Sequence, residues 1–430
     1  MQATEPTGGE APARTWRQAV ASLGPGLAFL AAMTGPGSLL SNAAAGATYG
    51  YDLLWALALA LTFRYVWVDT SARYVLVSGE SLLQGYARLG RWLVWVVLVA
   101  AILVRHSTNL YTILLMGSVV QLIVPLPFAG GGAAWTLVFS LVGFSMMFWG
   151  GYPAVERGAR VLVGVMVGSL VVAAALSHPP PAAVLRGSLV PWLPDGEGAF
   201  SAVVVLTAMV GAQVGTLSNL SYAYFVSEKG WHGATDLRQQ RLDLAMSFGF
   251  RFVMGGLLQI AAAGTLNALG VTPKSAGDLM PIFTTTLGRL GGLSFALGLW
   301  AVCFSNFVSG TTGYALIVRD ICRRYVPCLA SPVARPTRTD PVYRWAVAVL
   351  GLPPLYIIFI EVEPVALAIT VRSLVVVLIP ILGAALMRLA NDRAIMGPYR
   401  NGWLRNTALA VMLLVSIYLT MRSAADLWGS

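Results

Sequence analysis

Apolar residues dominate long stretches of the chain, and short polar or charged segments separate these stretches. A helix that crosses a bilayer needs about 20 mainly apolar residues, and the stretches reach that length. The pattern predicts an all-α membrane protein with eleven transmembrane helices, at residues 17–49, 52–77, 92–124, 134–150, 158–176, 199–226, 244–270, 289–318, 342–360, 364–388 and 404–421.

Glycine interrupts the first and the sixth of these predicted helices. Residues 35–38 read Gly-Pro-Gly-Ser, and residues 211–216 read Gly-Ala-Gln-Val-Gly-Thr. Secondary transporters bind substrates at paired helix breaks, where unwound backbone and half-helix ends provide polar groups at mid-membrane depth. The sequence therefore predicts discontinuous helices 1 and 6, with a substrate site between the two breaks.

Each predicted break opens a group of five helices, one at residues 17–176 and one at residues 199–388. Because five is odd, the two groups must cross the membrane in opposite orientations, as the inverted repeats of transporters do. We expect a disordered cytoplasmic tail at residues 1–16, an extracellular loop at 177–198, and a loop with helix 11 at 389–430.

The composition excludes a soluble domain. Hydrophobic residues make up 57% of the chain, charged residues 11%, and the mean hydropathy is +0.73, whereas about a quarter of a soluble domain is charged. The net charge of +10 comes mostly from Lys and Arg in predicted cytoplasmic segments, as the positive-inside rule requires. This predicts a multi-pass protein of the cell (inner) membrane with a cytoplasmic N-terminus and an extracytoplasmic C-terminus. Its surroundings are the lipid bilayer, the charge implies no nucleic-acid partner, and no particular oligomeric state is predicted.

Several motifs resemble those of the NRAMP (natural resistance-associated macrophage protein) family of metal-ion transporters. They are Gly-Pro-Gly-Ser at 35–38, Gly-Tyr-Asp-Leu-Leu-Trp at 50–55, Ser-Gly-Thr-Thr-Gly at 309–313 and Asn-Asp-Arg-Ala-Ile-Met-Gly at 391–397. The resemblance implies the amino-acid/sodium symporter type of fold, a five-plus-five inverted repeat. It also implies a transporter and not an enzyme.

The family's metal-binding motifs are absent. Its helix-1 motif, Asp-Pro-Gly-Asn, supplies two metal ligands, and Gly35 and Ser38 stand in those places. Its helix-6 motif, Ala-Thr-Val-Met-Pro-His, supplies a Met ligand, whereas residues 212–217 read Ala-Gln-Val-Gly-Thr-Leu. The acids that the family places in helix 3 are missing too, since no acid lies between Arg91 and Glu156. Because transition metals need carboxylate, imidazole or thioether ligands, we predict no transition-metal site.

The groups that remain at the two breaks suit a small anion. Half-helix N-termini carry partial positive charge and free N–H groups, and glycine allows close approach. Arg372 in helix 10 adds a full positive charge, beside Ser373, whose place in the family holds a polar residue of the substrate site. The predicted substrate-binding residues are Gly35, Gly37, Ser38, Ser41, Gln213, Gly215, Thr216, Ser218, Arg372 and Ser373.

A coupled cation is expected, because moving an anion inward against the membrane potential costs about 2.3 kcal/mol per 100 mV. Symporters of the implied fold hold sodium between helix 1 and helix 8, so a bound sodium ion is expected and no other cofactor. The implied sodium ligands are Ala31, Thr34, Ser309, Thr311 and Thr312.

Five arginines lie inside predicted helices, where a charge is costly and usually paired or functional. They are Arg64, Arg73, Arg105, Arg251 and Arg372. Asp69 precedes Arg73 by four residues, so an ion pair is expected there. Arg105 and Arg251 are expected near helix ends, with guanidinium groups that reach toward the membrane surface.

These observations predict a secondary transporter that imports a small inorganic anion such as bicarbonate together with sodium. Two alternatives stay open. One is a transporter of a divalent cation such as magnesium, with ligands outside the aligned motifs. The other is a transport-inactive sensor or interaction protein that has the same fold.

Overall fold

The computed structural model describes residues 35–128, 130–149, 152–195, 200–215, 217, 219–220, 231, 233–330 and 339–428. Helices form most of this part of the chain, and the predicted all-α class is confirmed. The expected cytoplasmic tail at residues 1–16 lies outside the described residues.

The helices of the first half are α1 (Pro36–Tyr49), α2 (Leu54–Ser78), α3 (Leu82–Leu89), α4 (Arg91–Ile123), α5 (Gly131–Trp149) and α6 (Tyr152–Leu176). They are followed by α7 (Pro181–Leu189), α8 (Ala202–Val214), α9 (Leu237–Ala262), α10 (Pro281–Ser305), α11 (Thr311–Tyr325), α12 (Pro341–Gly351), α13 (Pro364–Val375), α14 (Leu378–Ala390), α15 (Arg393–Met396) and α16 (Trp403–Trp428). A π-helical turn, Asn306–Gly310, joins α10 to α11.

Eight segments of the described chain are long and apolar enough to cross a membrane. They lie at the positions predicted for helices 3, 4, 5, 7, 8, 9, 10 and 11. Helix α2 lies at the position of the second predicted helix, and α1 and α8 lie within the first and the sixth. An all-helical membrane architecture is therefore observed, while the count of eleven spans and the orientation of the termini stay predictions.

Among the described residues, one helix begins and another ends where the glycines predict the breaks. Gly35 is extended (φ −68°, ψ 156°), and α1 starts at Pro36, whose fixed φ suits a first helical position. At the second break, α8 ends at Val214 and Gly215 adopts the left-handed conformation (φ 59°, ψ 50°). Glycine reaches that conformation at little cost, so the backbone leaves the helix there.

Several contacts made by helices of the first half have counterparts made by the corresponding helices of the second half. Helix α1 packs on α9 as α8 packs on α2, and α4 packs on α5 as α11 packs on α12. Helix α6 packs on α10 as α13 packs on α4. A five-plus-five inverted repeat produces this exchange of partners. The exact boundaries of the two repeats stay a prediction.

The described part of the predicted extracellular loop, residues 177–195, contains the short helix α7 and packs on the protein. A Cβ added at Gly187 of α7 would lie 1.9 Å from the Tyr51 carbonyl oxygen. The Trp55 indole of α2 donates to the Trp192 carbonyl at 3.1 Å. These contacts with the start of α2 explain why the segment is ordered.

The expected ion pair between Asp69 and Arg73 is observed within a larger cluster. The Asp69 carboxylate is buried and lies 3.7 Å from Arg73, 3.5 Å from Arg241 and 3.1 Å from Arg405. Arg73 also donates to the Asn401 amide oxygen at 2.5 Å. One acid therefore links α2, α9 and α16.

Candidate functional site

Arg372 of α13 lies against the N-terminus of α1. Its Nε donates a hydrogen bond to the Tyr111 hydroxyl of α4 at 2.8 Å. A Cβ added at Gly37 would lie 2.4 Å from this Nε, and one at Gly35 would lie 3.8 Å from Nη2. Because a side chain at position 37 would occupy the space of the guanidinium group, glycine there permits the approach.

The backbone of Arg372 also borders the second break. A Cβ added at Gly211 would lie 2.0 Å from the Arg372 carbonyl oxygen, and the left-handed Gly215 follows one helical turn later. Helix α13 therefore passes both interrupted helices. Three of the predicted site residues, Gly35, Gly37 and Arg372, are thereby brought together.

A second arginine lies in the same region. Arg105, in the middle of the 33-residue helix α4, is 3% exposed. Its guanidinium donates to the Asn109 amide oxygen and to the Asn306 carbonyl, the latter at 3.0 Å. The expectation that Arg105 reaches the membrane surface is wrong, because these buried oxygen atoms hold its guanidinium group inside the helix bundle.

Asparagine and tyrosine side chains connect the two arginines. The Asn306 amide faces both Arg105, at 3.4 Å, and the start of α1, where a Cβ at Gly35 would lie 3.0 Å from its nitrogen. Tyr111, on the same helix as Arg105, accepts from Arg372 Nε at 2.8 Å, and the Arg372 guanidinium carbon lies 5.8 Å from the centre of its ring. We call the set Arg105, Asn109, Tyr111, Asn306 and Arg372 the arginine site.

Among the described residues, no acid balances the positive charge of the arginine site. Within the described chain, neither Arg105 nor Arg372 forms an ion pair with Asp or Glu. A search of the same residues finds no group of three His, Cys, Asp or Glu that could hold a metal ion. Since arginine stays protonated in proteins, the site has two uncompensated cations.

The predicted serine ligands use their hydroxyl hydrogens elsewhere. Ser38 donates to the Gly35 carbonyl at 2.9 Å, Ser41 to the Ser38 carbonyl at 3.3 Å, and Ser373 to the Thr370 carbonyl at 2.8 Å. Such bonds to the preceding helical turn are common for serine. In this conformation the three hydroxyl hydrogens are donated to backbone carbonyls, and the assignment of these serines to a substrate site stays a prediction.

Gln213, at the end of α8, accepts hydrogen bonds from two other arginines, Arg64 and Arg251. Its carbonyl accepts from Arg64 at 2.6 Å, and its side-chain oxygen accepts from Arg251 at 3.4 Å. The negative end of a helix dipole favours cations, which explains their place at this terminus. Arg251 is buried, so the expectation that it reaches the membrane surface is wrong. Thr216 and Ser218 lie outside the described residues.

The sodium ligands expected on helix 8 have other partners nearby. The Ser309 hydroxyl donates to the Ser305 carbonyl at 2.6 Å, and Thr311 accepts from the Asn109 amide at 3.3 Å. Thr312 is half-buried. Ala31 and Thr34 lie outside the described residues, so the half of the predicted sodium site on helix 1 is not described.

Sequence reasoning missed Asn109, Tyr111 and Asn306. All three are polar residues within apolar helical stretches. Asn109 follows Arg105 by four residues, and this spacing places both on one face of α4. That spacing is the signal that could have pointed to Asn109, whereas it covers neither Tyr111 nor Asn306.

Comparison with known proteins gives a family match over nearly the whole chain. The family model described as natural resistance-associated macrophage protein-like matches residues 26–426. A curated relative from Aeromonas hydrophila, named divalent metal cation transporter MntH, is 26% identical over 401 residues, which cover 91% of each chain. The protein of the same name from Mycobacterium tuberculosis is 25% identical over 415 residues, covering 93% of this chain and 91% of the relative.

Solved structures share the fold. A mutant of the manganese transporter of Eremococcus coleocola superposes with a TM-score of 0.74 at 15% identity, covering 96% of this chain and 88% of that chain. MhsT in complex with L-phenylalanine superposes with a TM-score of 0.58 at 13% identity, covering 94% and 98% of the two chains. The likeness shows a membrane transporter fold.

Proposed function

This chain is a transporter of the natural resistance-associated macrophage protein-like family, and we propose that its substrate is a small inorganic anion instead of a divalent metal ion. The membership indicated by the motifs is confirmed, and its transporter relatives confirm that the chain is not an enzyme. The curated relatives are named for divalent metal cations, so the proposal departs from their names.

The observation that carries the proposal is the uncompensated pair of cations, Arg105 and Arg372, beside the start of α1. Two like unit charges 4 Å apart repel by about 4 kcal/mol at an effective dielectric constant of 20. A divalent ion doubles that repulsion, and Gly35 and Ser38 supply no carboxylate to offset it. The same charges attract an anion.

The free edge of Arg372 fits a planar oxyanion. Its Nε bonds to Tyr111, while Nη1 and Nη2 form no hydrogen bond within the described chain. Guanidinium groups bind planar carboxylate-like groups through two parallel N–H donors. The N-terminus of α1, at Gly35, adds partial positive charge on the same side. Bicarbonate has this planar two-oxygen edge, which supports it as the substrate.

Sodium coupling and import stay predictions from the sequence, and the proposal of anion transport depends on neither. They rest on the expected cost of anion entry and on the hydroxyl-rich helix 8. Magnesium transport and a transport-inactive role remain the alternatives, and flux measurements distinguish all three.

The test is uptake of radiolabelled bicarbonate, with formate and nitrate as related planar anions, into proteoliposomes of the wild type and of Arg372→Gln. Loss of a charge-assisted contact is worth about 1.5–3 kcal/mol, so we expect uptake to fall at least tenfold. Arg186→Gln changes an exposed arginine of α7 and serves as the control with unchanged uptake.

Each outcome has a distinct meaning. Bicarbonate uptake that is equal for the wild type and Arg372→Gln would place the substrate away from the arginine site. Uptake of Mg²⁺ without any anion uptake would support the magnesium alternative. A folded protein that moves none of these ions would support the transport-inactive alternative.

A further inference from the structure

The guanidinium group of Arg105 lies at the π turn of the eighth helix. The π turn Asn306–Gly310 continues α10 into α11, and π turns disturb the regular ladder of backbone hydrogen bonds, often at functional sites. The Asn306 carbonyl accepts from Arg105 at 3.0 Å. A Cβ added at Gly310 would lie 2.2 Å from Nη1, so the guanidinium group contacts the backbone of the turn.

The partners of Arg105 are oxygen atoms of neutral groups. They comprise the side-chain oxygens of Asn109 and Asn306 and the Asn306 carbonyl. Carbonyl oxygens at helix interruptions are the ligands that sodium takes in secondary transporters. Thr311, fully buried beside Asn109, is one of the predicted sodium ligands. The Arg105 cation thus shares the neighbour Asn109 with Thr311, a residue of the predicted sodium site.

We infer that Arg105 is a resident cation that takes the place of the coupling sodium, so that anion transport by this protein is independent of sodium. The inference rests on the proposed function, anion transport. A sodium ion at contact distance from Arg105 would lose affinity by about a thousandfold through like-charge repulsion. The positive charge that supports the anion in the adjacent site is covalently attached to α4 and does not move with the substrate.

Sodium independence has an energetic consequence. An anion that moves alone carries negative charge across the membrane, and a potential of 100 mV changes its equilibrium distribution by about 50-fold. The protein then carries anions down their electrochemical gradient, and its flux responds to the membrane potential. Coupling to sodium would abolish or reverse this response, according to the number of ions moved together.

The first experiment compares wild-type bicarbonate uptake in proteoliposomes with external sodium, potassium or choline, after subtraction of uptake by protein-free liposomes. We expect equal initial rates in the three salts and faster uptake when potassium and valinomycin make the interior positive. Uptake that needs sodium overturns the inference while the proposed function stands. Absence of bicarbonate, formate and nitrate uptake in every salt overturns the proposed function itself.

The second experiment removes the charge but keeps hydrogen bonding. We expect Arg105→Gln to reduce uptake in choline at least tenfold and sodium to restore part of it, because the oxygen ligands become available. Arg105→Lys retains the charge and is expected to keep sodium-independent uptake at a reduced rate.

A binding measurement separates this role from a purely structural one. We expect sodium to raise the melting temperature of Arg105→Gln and to leave that of the wild type unchanged relative to choline. A wild type stabilised by sodium contradicts the inference. If Arg105→Gln does not fold, the salt dependence of wild-type uptake still decides the question.

Discussion

At the residue scale, the site depends on two positions of α1 that lack side chains. Gly35 stands where the family motif has a metal-binding Asp, and Gly37 leaves the space that the Arg372 guanidinium group fills. The position of the family's Asp is therefore neutral in this chain, and the Arg372 guanidinium group lies beside it. Both features change the preferred charge of the substrate in the same direction.

We predict that Gly35→Asp abolishes anion uptake. The extended backbone at Gly35 (φ −68°) accepts any side chain, and the new carboxylate would face Arg372 Nη2 and the Asn306 amide. It would pair with Arg372 and repel the anion. Uptake assays measure the loss, and calorimetry with Mn²⁺ checks for a metal site.

Because Arg372 neutralises the new carboxylate, Gly35→Asp alone is expected to bind no Mn²⁺, and weak binding is expected when Arg372→Ala is added. Normal bicarbonate uptake by a folded Gly35→Asp variant would show that the substrate does not bind at this break.

We predict that Gly37→Ala reduces anion uptake at least tenfold. The added Cβ would lie 2.4 Å from Arg372 Nε and 2.8 Å from the Tyr111 hydroxyl, so the guanidinium group must move. Gly168→Ala is the matched control, because a Cβ at this position of α6 meets nothing within 4 Å. Equal uptake by the two variants would contradict the role given to Arg372.

Sequence reasoning identified Arg372 and misjudged Arg105 for a physical reason. Arg372 could be placed because helix 10 borders the substrate site in the family that the motifs indicate. Arg105 is held by Asn306, which is 201 positions away along the chain. A partner at that distance follows from how α4 packs on the turn after α10, and no local pattern of either segment encodes it.

At the scale of the elements, the helix breaks were predictable because their causes are local. Proline fixes its own φ, as at Pro36, and glycine reaches conformations that other residues rarely adopt, as at Gly215. The π turn Asn306–Gly310 and the helix α7 were not predicted, since both depend on packing. The Tyr51 carbonyl and the Trp55 indole order the segment that the sequence indicated only as a loop.

The junction between α11 and α12 contains an acid whose titration can be tested. Burial would raise the pKa of Asp340, but hydrogen bonds from Arg323, Arg319 and the Val342 N–H outweigh it and hold this pKa well below its usual range. A lowered folded-state pKa means that the stabilisation is complete above the unfolded pKa, about 4, and disappears as the pH falls toward the folded value.

We therefore predict that Asp340→Asn lowers the melting temperature by an amount that stays constant from pH 8 to pH 5. Below about pH 4 the difference from the wild type should shrink, because the unfolded wild-type chain binds a proton at Asp340 there while the folded chain does not. Melting curves in detergent at several pH values measure this difference. A difference in melting temperature that already narrows between pH 8 and pH 5 would contradict the lowered pKa of Asp340.

At the scale of the whole molecule, the chain keeps the fold of metal transporters and places different charges at its centre. The superposition with the Eremococcus coleocola manganese transporter covers 96% of the chain with a TM-score of 0.74, so the two proteins share a fold. The fold could be inferred from helix lengths and motifs. The charge of the substrate depends on Arg105 and Arg372, which the packing of both halves brings together.

The central claim, that the arginine site selects an anion over a divalent metal, is tested most directly by measuring bicarbonate and Mn²⁺ uptake with the same wild-type proteoliposomes. The account predicts bicarbonate uptake above that of protein-free liposomes, no Mn²⁺ uptake, and no inhibition of bicarbonate uptake by Mn²⁺. Uptake of Mn²⁺ in the absence of any bicarbonate uptake would contradict it.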